Sequence, residues 1–262
     1  MDLKMTGKLA LVTGSTKGIG FAIAATLARE GARVILNGRT EASVASARAE
    51  LLAVAPGAVI EGFAGDLATP AAAESLHRVF PSVDILVNNL GIFESRPFED
   101  IPDDDWRRLF EVNVLSGVRL SRLYLPGMKA RNWGRVVFIS SESGIQIPTE
   151  MIHYGMTKTA QLAVSRGLAE TCAGTAVTVN AVLPGPTRSA GVDEVVTQLS
   201  GGKPFEEFER EFFATMRPTS LLQRFATTEE VASLVAYVCS PLASAVNGAA
   251  LRVDGGVVRA CF

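Results

Sequence analysis

Residues 9–20 read LALVTGSTKGIG, an apolar run that ends in a turn with three glycines. The apolar run predicts a β-strand at Leu9–Thr13, and the pattern after the turn predicts a helix at Ile19–Glu30. A strand that passes through a glycine-rich turn directly into a helix is typical of the first unit of a parallel α/β sheet. This stretch therefore predicts an α/β fold.

The same alternation of strand and helix continues along the chain. Further apolar runs predict strands at Arg33–Asn37, Val59–Phe63, Val83–Asn88, Arg135–Ser140, Ala176–Val182 and Ala249–Val253. Longer patterns between them predict helices at Glu41–Val54, Ala71–Phe80, Asp104–Ala130, Met151–Thr171 and Glu229–Cys239. We expect one doubly wound α/β domain over residues 1–262, with a single parallel sheet of about seven strands and helices on both faces.

One segment, 187–225, departs from this alternation because it contains no predicted strand. Within it, Phe205, Phe208, Phe212 and Phe213 fall on one face of a helix. An amphipathic helix packed on the body of the domain explains this pattern. A mobile lid over a substrate cleft explains it as well, because long excursions from a compact domain often serve as lids.

The composition argues against several classes of function. Lys and Arg number 25 against 27 Asp and Glu, and there is no basic run, so we expect no nucleic-acid partner. The cysteines, Cys172, Cys239 and Cys261, are few and widely separated, which argues against a disulfide framework or a cysteine-based metal site. No apolar stretch approaches the roughly 18 residues that span a bilayer, and no signal-peptide pattern opens the chain. We therefore expect a cytoplasmic protein without a metal.

The glycine-rich turn is a candidate phosphate-binding loop. Glycines let the backbone approach a pyrophosphate closely, and the helix that follows offers free N–H groups and the positive end of its dipole. Tight packing of helix on strand is the alternative reason for glycines at such a junction. The candidate cofactor-binding residues of the turn are Gly14, Ser15, Thr16, Lys17, Gly18, Ile19 and Gly20.

The end of the second predicted strand bears on which dinucleotide is bound. An acidic residue there would bind the ribose 2′-hydroxyl of NAD(H), but the sequence reads Asn37-Gly38-Arg39. Arg39 can pair with a 2′-phosphate and Lys17 adds a second positive charge, although both are also ordinary surface cations. NADP(H) is therefore favoured over NAD(H). After the third strand, Asp66 either accepts a hydrogen bond from the adenine amino group or caps the next helix.

Tyr154 and Lys158 are candidates for proton transfer. They lie four residues apart in a predicted helix and so share one of its faces, although such pairs also arise by coincidence. An ammonium beside a phenol favours the phenolate and tunes a tyrosine for acid–base work. Ser140 and Ser141 close the fifth predicted strand, where α/β proteins place ligands, and capping of a turn explains them equally well.

The order and spacing of these motifs resemble the short-chain dehydrogenases/reductases. The motifs that carry the resemblance are Thr13-Gly14-x-x-x-Gly18-Ile19-Gly20, Asn88-Asn89-x-Gly91, Asn113, Ser141, Tyr154-x-x-x-Lys158, Pro184-Gly185 and Val253-Asp254-Gly255-Gly256. The resemblance covers essentially the whole chain. It implies a Rossmann fold, hydride transfer between NADP(H) and a carbonyl or secondary alcohol, and a homodimer or homotetramer. Reduction of 3-oxoacyl thioesters is the commonest activity in this group, with sugars, polyols and steroid-like alcohols as competitors.

The resemblance also implies roles for individual residues. Tyr154 would be the general acid and base, and Lys158 would lower its pKa and hold the nicotinamide ribose. Ser141 would polarise the carbonyl oxygen, and Asn113 would hold a water of a proton relay. Further cofactor contacts are implied for Leu67, Asn89, Gly91, Pro184, Gly185 and Thr187. Whether the hydroxyl of Thr187 or of Ser189 meets the carboxamide stays open.

The chain departs from the resemblance at Leu90, where an alanine is usual and a larger side chain must now be accommodated near the cofactor. Residues that lie near the predicted cleft, and so are candidates for specificity, are Phe93, Glu142, Ile145 and Gln146. His153, beside Tyr154, is interpreted as a half-exposed structural histidine because adjacent helix positions point in different directions.

A non-enzymatic NADP(H)-binding sensor or scaffold on the same fold is the alternative function. Such a protein has no need of the complete set of Asn113, Ser141, Tyr154 and Lys158. We therefore expect an enzyme whose partner is a small-molecule carbonyl or alcohol.

Overall fold

A computed structural model describes residues 1–189 and 204–261 of the chain. Its strands are β1 Leu9–Val12, β2 Arg33–Gly38, β3 Ile60–Ala64, β4 Ile85–Asn88, β5 Gly134–Ile139, β6 Val177–Pro184 and β7 Ala250–Val253. They form one parallel sheet in the order β3-β2-β1-β4-β5-β6-β7. The order runs outward in opposite directions from β1 and β4, so the predicted doubly wound fold is confirmed.

Helices connect and cover the strands. They are α1 Gly18–Arg29, α2 Glu41–Val54, α3 Pro70–Val79, α4 Asp103–Phe110, α5 Ser116–Ala130, α6 Ile152–Glu170, α7 Phe205–Thr215 and α8 Thr228–Cys239. The long helix predicted at Asp104–Ala130 is interrupted, because α4 and α5 are joined by a π-helical turn at Glu111–Leu115. Such turns widen a helix locally and are frequent at functional sites.

Two hydrophobic cores, one on each face of the sheet, account for the nearly continuous apolar strands. Val12 of β1 belongs to the core under α1 and α8, together with Val235. Its neighbour Leu11 belongs to the core on the opposite face, together with Leu120 of α5. Successive side chains of a strand point to opposite faces, so a strand that is covered on both faces is apolar at every position.

The helix N-termini are not all built alike. Thr227 and Glu230 form a capping box at α8, and Thr40 and Thr69 cap α2 and α3 through their side chains. The N-terminus of α1, where Lys17 is the cap residue, has neither a side-chain cap nor an acidic residue in its first turn. Its first N–H groups are therefore left to other partners, at the edge of the sheet where the strands end.

Of the segment predicted at 187–225, residues 190–203 lie outside the described part of the chain. In the remainder, Phe213 of α7 is buried and packs edge-on against Phe225, with ring centroids 5.2 Å apart. The two ends of the segment meet in an isolated β-bridge. These contacts are those of a packed amphipathic helix, and the mobility of α7 stays a prediction.

Residues 1–189 and 204–261 also bear on membrane insertion and metal binding. No helix among them is long and apolar enough to cross a membrane. Within the same ranges, no three His, Cys, Asp or Glu side chains are grouped so as to hold a metal ion. Cys172 and Cys239 are buried thiols and Cys261 is an exposed one.

Candidate active site

The glycine-rich turn lies between the end of β1 and the start of α1. Gly14 and Gly18 have φ angles of +59° and +61°, in the left-handed region that favours glycine. A Cβ atom at Gly20 would lie 2.5 Å from Nδ2 of Asn89 and 2.5 Å from the carbonyl oxygen of Gly14. The turn therefore admits no side chain there, and it presents a main-chain surface that a pyrophosphate can approach.

Side chains from other strands hold this turn in place. Oδ1 of Asn37 accepts a hydrogen bond from the Gly14 N–H at 3.1 Å. The Thr13 hydroxyl accepts from the N–H groups of Asn89 and Leu90, each at 2.9 Å. The Asn89 amide donates to the carbonyls of Thr13 and Gly14 at 2.9 and 3.1 Å. Asn89, predicted to line the cofactor, thus uses its side-chain amide to shape the turn.

Two predicted cofactor residues turn inward instead. The Ser15 hydroxyl donates to the Val12 carbonyl at 2.7 Å and accepts from the Asn37 N–H at 2.9 Å, and Ser15 has no exposed surface. The Leu67 side chain is buried in the core beneath α3 and α5. Any cofactor contact of Ser15 or Leu67 would therefore come from the main chain, and the prediction for these two residues stays a prediction. Sequence spacing does not report which way a turn residue faces, and here hydrogen bonding and core packing decide it.

The two predicted cations lie at the edge where β2 meets the turn. A Cβ atom at Gly38 would lie 2.5 Å from Cγ2 of Thr16, so the end of β2 touches the turn. Lys17 and Arg39 follow these two touching residues, and both are exposed. The structure thus brings the two positive charges to one side of the turn.

Asp66 lies after β3 at the same edge. Its Oδ1 accepts a hydrogen bond from the Ala68 N–H at 3.1 Å, whereas Thr69 is the residue that caps α3. The capping interpretation is therefore wrong in its detail, because Asp66 closes the turn before the helix. Asp66 is exposed, so the proposed contact with adenine stays a prediction.

Leu90 is accommodated without strain. Its Cδ1 would lie 3.4 Å from a Cβ atom at Gly14, which is ordinary van der Waals contact, and its side chain packs on the core beneath α5. The larger side chain therefore fills space on the core side of the turn.

The chain after β6 returns towards the glycine-rich turn. A Cβ atom at Gly185 would lie 2.5 Å from the Asp254 carbonyl oxygen, so this position requires glycine. The buried Thr187 hydroxyl donates to the Gly185 carbonyl at 2.9 Å. Cβ of Ser189 would lie 3.5 Å from a Cβ atom at Gly18. Ser189 thus lies against the turn, and Thr187 lies nearer the strand end.

The four predicted catalytic residues come from three elements, with Tyr154 and Lys158 both on α6, and converge beyond the ends of β4 and β5. Nζ of Lys158 lies 5.5 Å from the centre of the Tyr154 ring, one helical turn away on α6. A Cβ atom at Gly91 would lie 3.5 Å from this Nζ and 3.6 Å from Oδ1 of Asn113. The Ser141 hydroxyl is near enough to Tyr154 to lower the pKa of its phenol. The four residues therefore form one group.

Asn113 fixes the loop after β4 to the π-helical turn. Its Oδ1 accepts from the Ile92 N–H at 2.8 Å, and its Nδ2 donates to the Ile92 carbonyl at 2.9 Å. Nδ2 also donates to the Thr157 hydroxyl at 3.0 Å. Both N–H groups of the side-chain amide are therefore used within the protein, and the proton relay predicted for Asn113 remains untested.

Lys158 is a buried amine. Its Nζ donates to the Ile139 carbonyl at 2.9 Å and to Oε1 of Gln161 at 3.3 Å. Burial lowers the pKa of Lys158 to about 8, although the negative charge of Glu142 acts in the opposite direction. Gln161 also donates to the Asn113 carbonyl at 2.6 Å. The sequence analysis missed Gln161, although its position three residues after Lys158 places it on the same helical face.

The pKa of Tyr154 is shifted in the direction opposite to the prediction. Burial raises it above its ordinary value, and the negative charge of Glu142 adds to the rise, whereas Ser141 and Arg217 oppose it. Nζ of Lys158 lies over the face of the Tyr154 ring and donates to the Ile139 carbonyl. Its positive charge therefore does not control the pKa of the Tyr154 hydroxyl. The structure therefore favours the neutral phenol, which is the form that donates a proton.

Ser141 is hydrogen-bonded to one member of a buried ion pair, which is formed by Glu142 and Arg217. The Ser141 hydroxyl donates a short hydrogen bond to Oε2 of Glu142, and Nε of Arg217 contacts Oε1 of Glu142 at 3.3 Å. Arg217 also contacts Oε1 of Glu150 at 3.2 Å. The side chains of Glu142 and Arg217 are only 6% and 11% exposed. Arg217 follows α7 and is far from Glu142 along the chain, so no local sequence signal pointed to it.

His153 differs from its prediction. It is fully buried rather than half-exposed, and its ring lies 5.9 Å from that of Trp106. Within residues 1–189 and 204–261, neither ring nitrogen has a hydrogen-bond partner. The structural interpretation holds, because the ring faces the α4 side of the helix and packs there.

Known proteins that are similar to this chain over nearly its whole length are named as reductases, dehydrogenases or oxidoreductases. A family model described as enoyl-(acyl carrier protein) reductase matches residues 14–258. The uncharacterized oxidoreductase YvaG of Bacillus subtilis is 52% identical over 100% of both chains. A D-beta-hydroxybutyrate dehydrogenase of Cupriavidus necator is 34% identical, over 97% of this chain and 99% of its own. L-sorbose reductase from Gluconobacter frateurii, solved with NADPH and L-sorbose, has a TM-score of 0.92 at 31% identity, over 99% and 100% of the two chains.

Proposed function

This chain belongs to the short-chain dehydrogenase/reductase family, and we propose that it transfers a hydride between NADP(H) and a carbonyl or secondary-alcohol carbon. The observation that carries the proposal is the convergence of Ser141, Tyr154 and Lys158 at the sheet edge that also holds the uncapped α1. Ligands of doubly wound sheets bind at this edge, where the strand order reverses.

The residues of the glycine-rich turn fit the pyrophosphate of a dinucleotide. Gly14, Gly18 and Gly20 place no side chain between the turn and a ligand, and Lys17, the cap residue of α1, makes no side-chain hydrogen bond to the N–H groups of that helix. Lys17 and Arg39 would hold the 2′-phosphate, which NADP(H) has and NAD(H) lacks. The NADPH in the solved L-sorbose reductase supports this choice. When bound, the nicotinamide supplies or accepts the hydride.

The chain's own residues perform the proton chemistry. In reduction, the neutral Tyr154 phenol donates its proton to the carbonyl oxygen as that oxygen gains negative charge. The Ser141 hydroxyl donates a hydrogen bond to the same oxygen and stabilises the charge. Lys158, whose pKa of about 8 lies close to neutral pH, is placed to return a proton towards Tyr154. In oxidation, the same groups act in the opposite direction.

The test is turnover with a panel of carbonyl compounds. Purified protein mixed with NADPH should lose the near-ultraviolet absorbance of the reduced nicotinamide when 3-oxoacyl thioesters, ketoses or other ketones are added. At least one class should react, and NADH should react more slowly. Tight NADPH binding without turnover of any compound would contradict the proposal and favour a sensor or scaffold.

We also propose that the enzyme acts in the cytoplasm as a homodimer or homotetramer. The support is the resemblance of the whole chain to this family and the apolar content of the helices in 104–130 and 151–171. Light scattering of the purified protein should give two or four times the 27.7 kDa mass of the chain. A monomer at micromolar concentration would contradict the assembly but not the activity.

A further inference from the structure

Glu142 is a buried carboxylate next to the reacting groups, and the proposed hydride transfer does not use it. It directly follows Ser141 in a short 3₁₀ turn, and its side chain is 6% exposed. One of its oxygens binds Arg217 and the other accepts the proton of the Ser141 hydroxyl. Burying a carboxylate in this way is unfavourable unless each oxygen keeps a donor.

Ser141 cannot serve Glu142 and a substrate with the same proton. A serine hydroxyl has one proton, and the Ser141 oxygen already accepts from the Ser143 N–H at 3.1 Å. To donate to a substrate carbonyl, the O–H bond must turn away from Glu142. Oε2 of Glu142 then loses its donor while it is shut off from water, and a buried acceptor without a partner is unfavourable.

Two of the three guanidinium nitrogens of Arg217 already have partners. Its Nε is engaged with the other oxygen of Glu142, and one of its two terminal nitrogens, Nη1, donates to Oε1 of Glu150 at 3.2 Å and to the Met216 carbonyl at 2.8 Å. A hydroxyl group on the substrate would supply a donor to Oε2 of Glu142.

We infer that Glu142 binds a hydroxyl group on the carbon next to the reacting carbonyl, so that α-hydroxy ketones and the vicinal diols made from them are the preferred substrates. This inference rests on the proposed function. The carbonyl oxygen bonds to Ser141, and the oxygens of Ser141 and Glu142 are one hydrogen bond apart. Two oxygens on neighbouring carbons also lie roughly 2.8 Å apart, which is one hydrogen-bond length. An α-hydroxy ketone can therefore engage Ser141 and Glu142 together.

Charge and the surrounding surface narrow the substrate class further. Glu142 and Glu150 carry two negative charges against the single positive charge of Arg217, which disfavours a substrate with a carboxylate at this end. Phe93 packs edge-on against Tyr154 and is 50% exposed, and Ile145 is 43% exposed. The far end of the substrate therefore meets apolar side chains.

The reaction is the two-electron reduction of the proposed function. The carbonyl π bond breaks, a C–H bond forms with the hydride from NADPH, and an O–H bond forms with the proton from Tyr154. The products are a vicinal diol and NADP⁺, and the hydroxyl held by Glu142 is unchanged.

The experiment compares 1-hydroxyhexan-2-one with hexan-2-one, which differ only in that hydroxyl. Wild-type kcat/KM should favour the hydroxy ketone about 10- to 100-fold, the contribution of one hydrogen bond to a charged group. In Glu142→Ala this preference should fall to near unity, because the ratio of the two kcat/KM values cancels any change in the proton chemistry that both ketones share. Glu142→Gln keeps the shape of the side chain and should show a reduced preference even if the alanine variant fails to fold.

The matched control is Glu150→Gln, which removes a partner of Arg217 without touching Ser141 and should keep the wild-type preference. Equal turnover of the two ketones by the wild type would overturn the inference and leave the proposed function standing. So would an unchanged preference in both Glu142 variants.

A binding measurement separates this inference from the proposed function. Calorimetry of the protein with NADP⁺ should show hexane-1,2-diol binding at least about tenfold more tightly than hexan-2-ol. The difference should be lost in Glu142→Ala. If no ketone is reduced, the proposed function fails, and a retained preference for the diol still supports the role of Glu142. Equal binding of the two alcohols, or binding of neither, would overturn it.

Discussion

The proposed site has two ends that are built from different parts of the chain. The cofactor end consists of the glycine-rich turn at 13–20 with Arg39, and it presents main-chain groups and exposed cations. The substrate end consists of the buried Ser141, Glu142 and Lys158 and the half-buried Tyr154, and its titratable groups have shifted pKa values or paired charges. The cofactor end has to recognise the shape and the phosphate charges of a dinucleotide. The substrate end has to transfer a proton to or from the bound substrate, which requires an environment with little water.

The largest effect should come from the reacting phenol of the substrate end. Tyr154→Phe removes the general acid, a role worth roughly 10²- to 10⁴-fold, while the cofactor end is unchanged. We therefore expect kcat/KM to fall by about 10³-fold or more, with the NADPH dissociation constant nearly unaltered. Steady-state kinetics and NADPH fluorescence titration measure the two quantities.

The control for that variant is Tyr237→Phe on α8, which changes a 38% exposed tyrosine outside the site and should leave both quantities as in the wild type. Loss of NADPH binding in Tyr154→Phe would contradict the separation of the two ends. Retained turnover would contradict the role of the phenol.

The next largest effect should appear at the cofactor end alone. Arg39→Asp replaces a charge-assisted contact to the 2′-phosphate by repulsion, so the preference for NADPH over NADH should fall about 10- to 100-fold. Arg33→Asp is the control, because Arg33 lies at the opposite end of the same strand and pairs with Glu61. An unchanged ratio of kcat/KM for the two cofactors in Arg39→Asp would refute the phosphate contact.

The buried amine predicts a dependence of stability on pH. The pKa of Lys158 is about 8 in the folded protein and has an ordinary value of 10.5. Below pH 8 the Lys158 amine holds its proton in both the folded and the unfolded protein. From pH 8 to 10 it holds the proton only in the unfolded chain, so the free energy of unfolding rises with pH. Relative to Lys158→Met, the wild type should gain about 2 kcal/mol between pH 8 and pH 10.

Urea denaturation of the wild type and Lys158→Met at the two pH values measures this gain. Lys129→Met removes an exposed lysine of α5 and should show no such difference from the wild type. A wild-type advantage that is equal at both pH values would show that burial does not shift the amine as described.

The smallest effect concerns α7, which lies in the segment that the sequence analysis offers as a lid over the substrate cleft. If α7 is a lid, its amides in the free protein should exchange faster than those of α6, and protection should rise when NADPH and a substrate analogue are bound. Hydrogen exchange read by mass spectrometry gives both rates, with α8 as the internal reference. Full protection of α7 in the free protein would leave only the packed helix.

The sequence predicted the backbone of the cofactor end well, while its contacts with the cofactor stay predictions. The order of strand, glycines and helix in 9–30 depends on neighbouring residues, and the structure confirms it. Ser15 is the exception, since its inward orientation depends on Asn37 of the next strand.

The substrate end was predicted only in part. Tyr154 and Lys158 are neighbours on one helix, so their proximity is readable from spacing. The Arg217–Glu142 ion pair joins residues that are distant along the chain, and the direction of the Tyr154 pKa shift depends on burial, which no spacing reports. The π-helical turn at Asn113 likewise replaces what the pattern predicts as one uninterrupted helix.

The most direct test of how the two ends act together is a crystal structure with NADP⁺ and a bound alcohol. We expect the 2′-phosphate beside Lys17 and Arg39, and the Tyr154 hydroxyl within about 3.2 Å of the alcohol oxygen, on the same side as C4 of the nicotinamide. A Tyr154 hydroxyl turned away from the nicotinamide, with the alcohol oxygen out of its reach, would contradict the account.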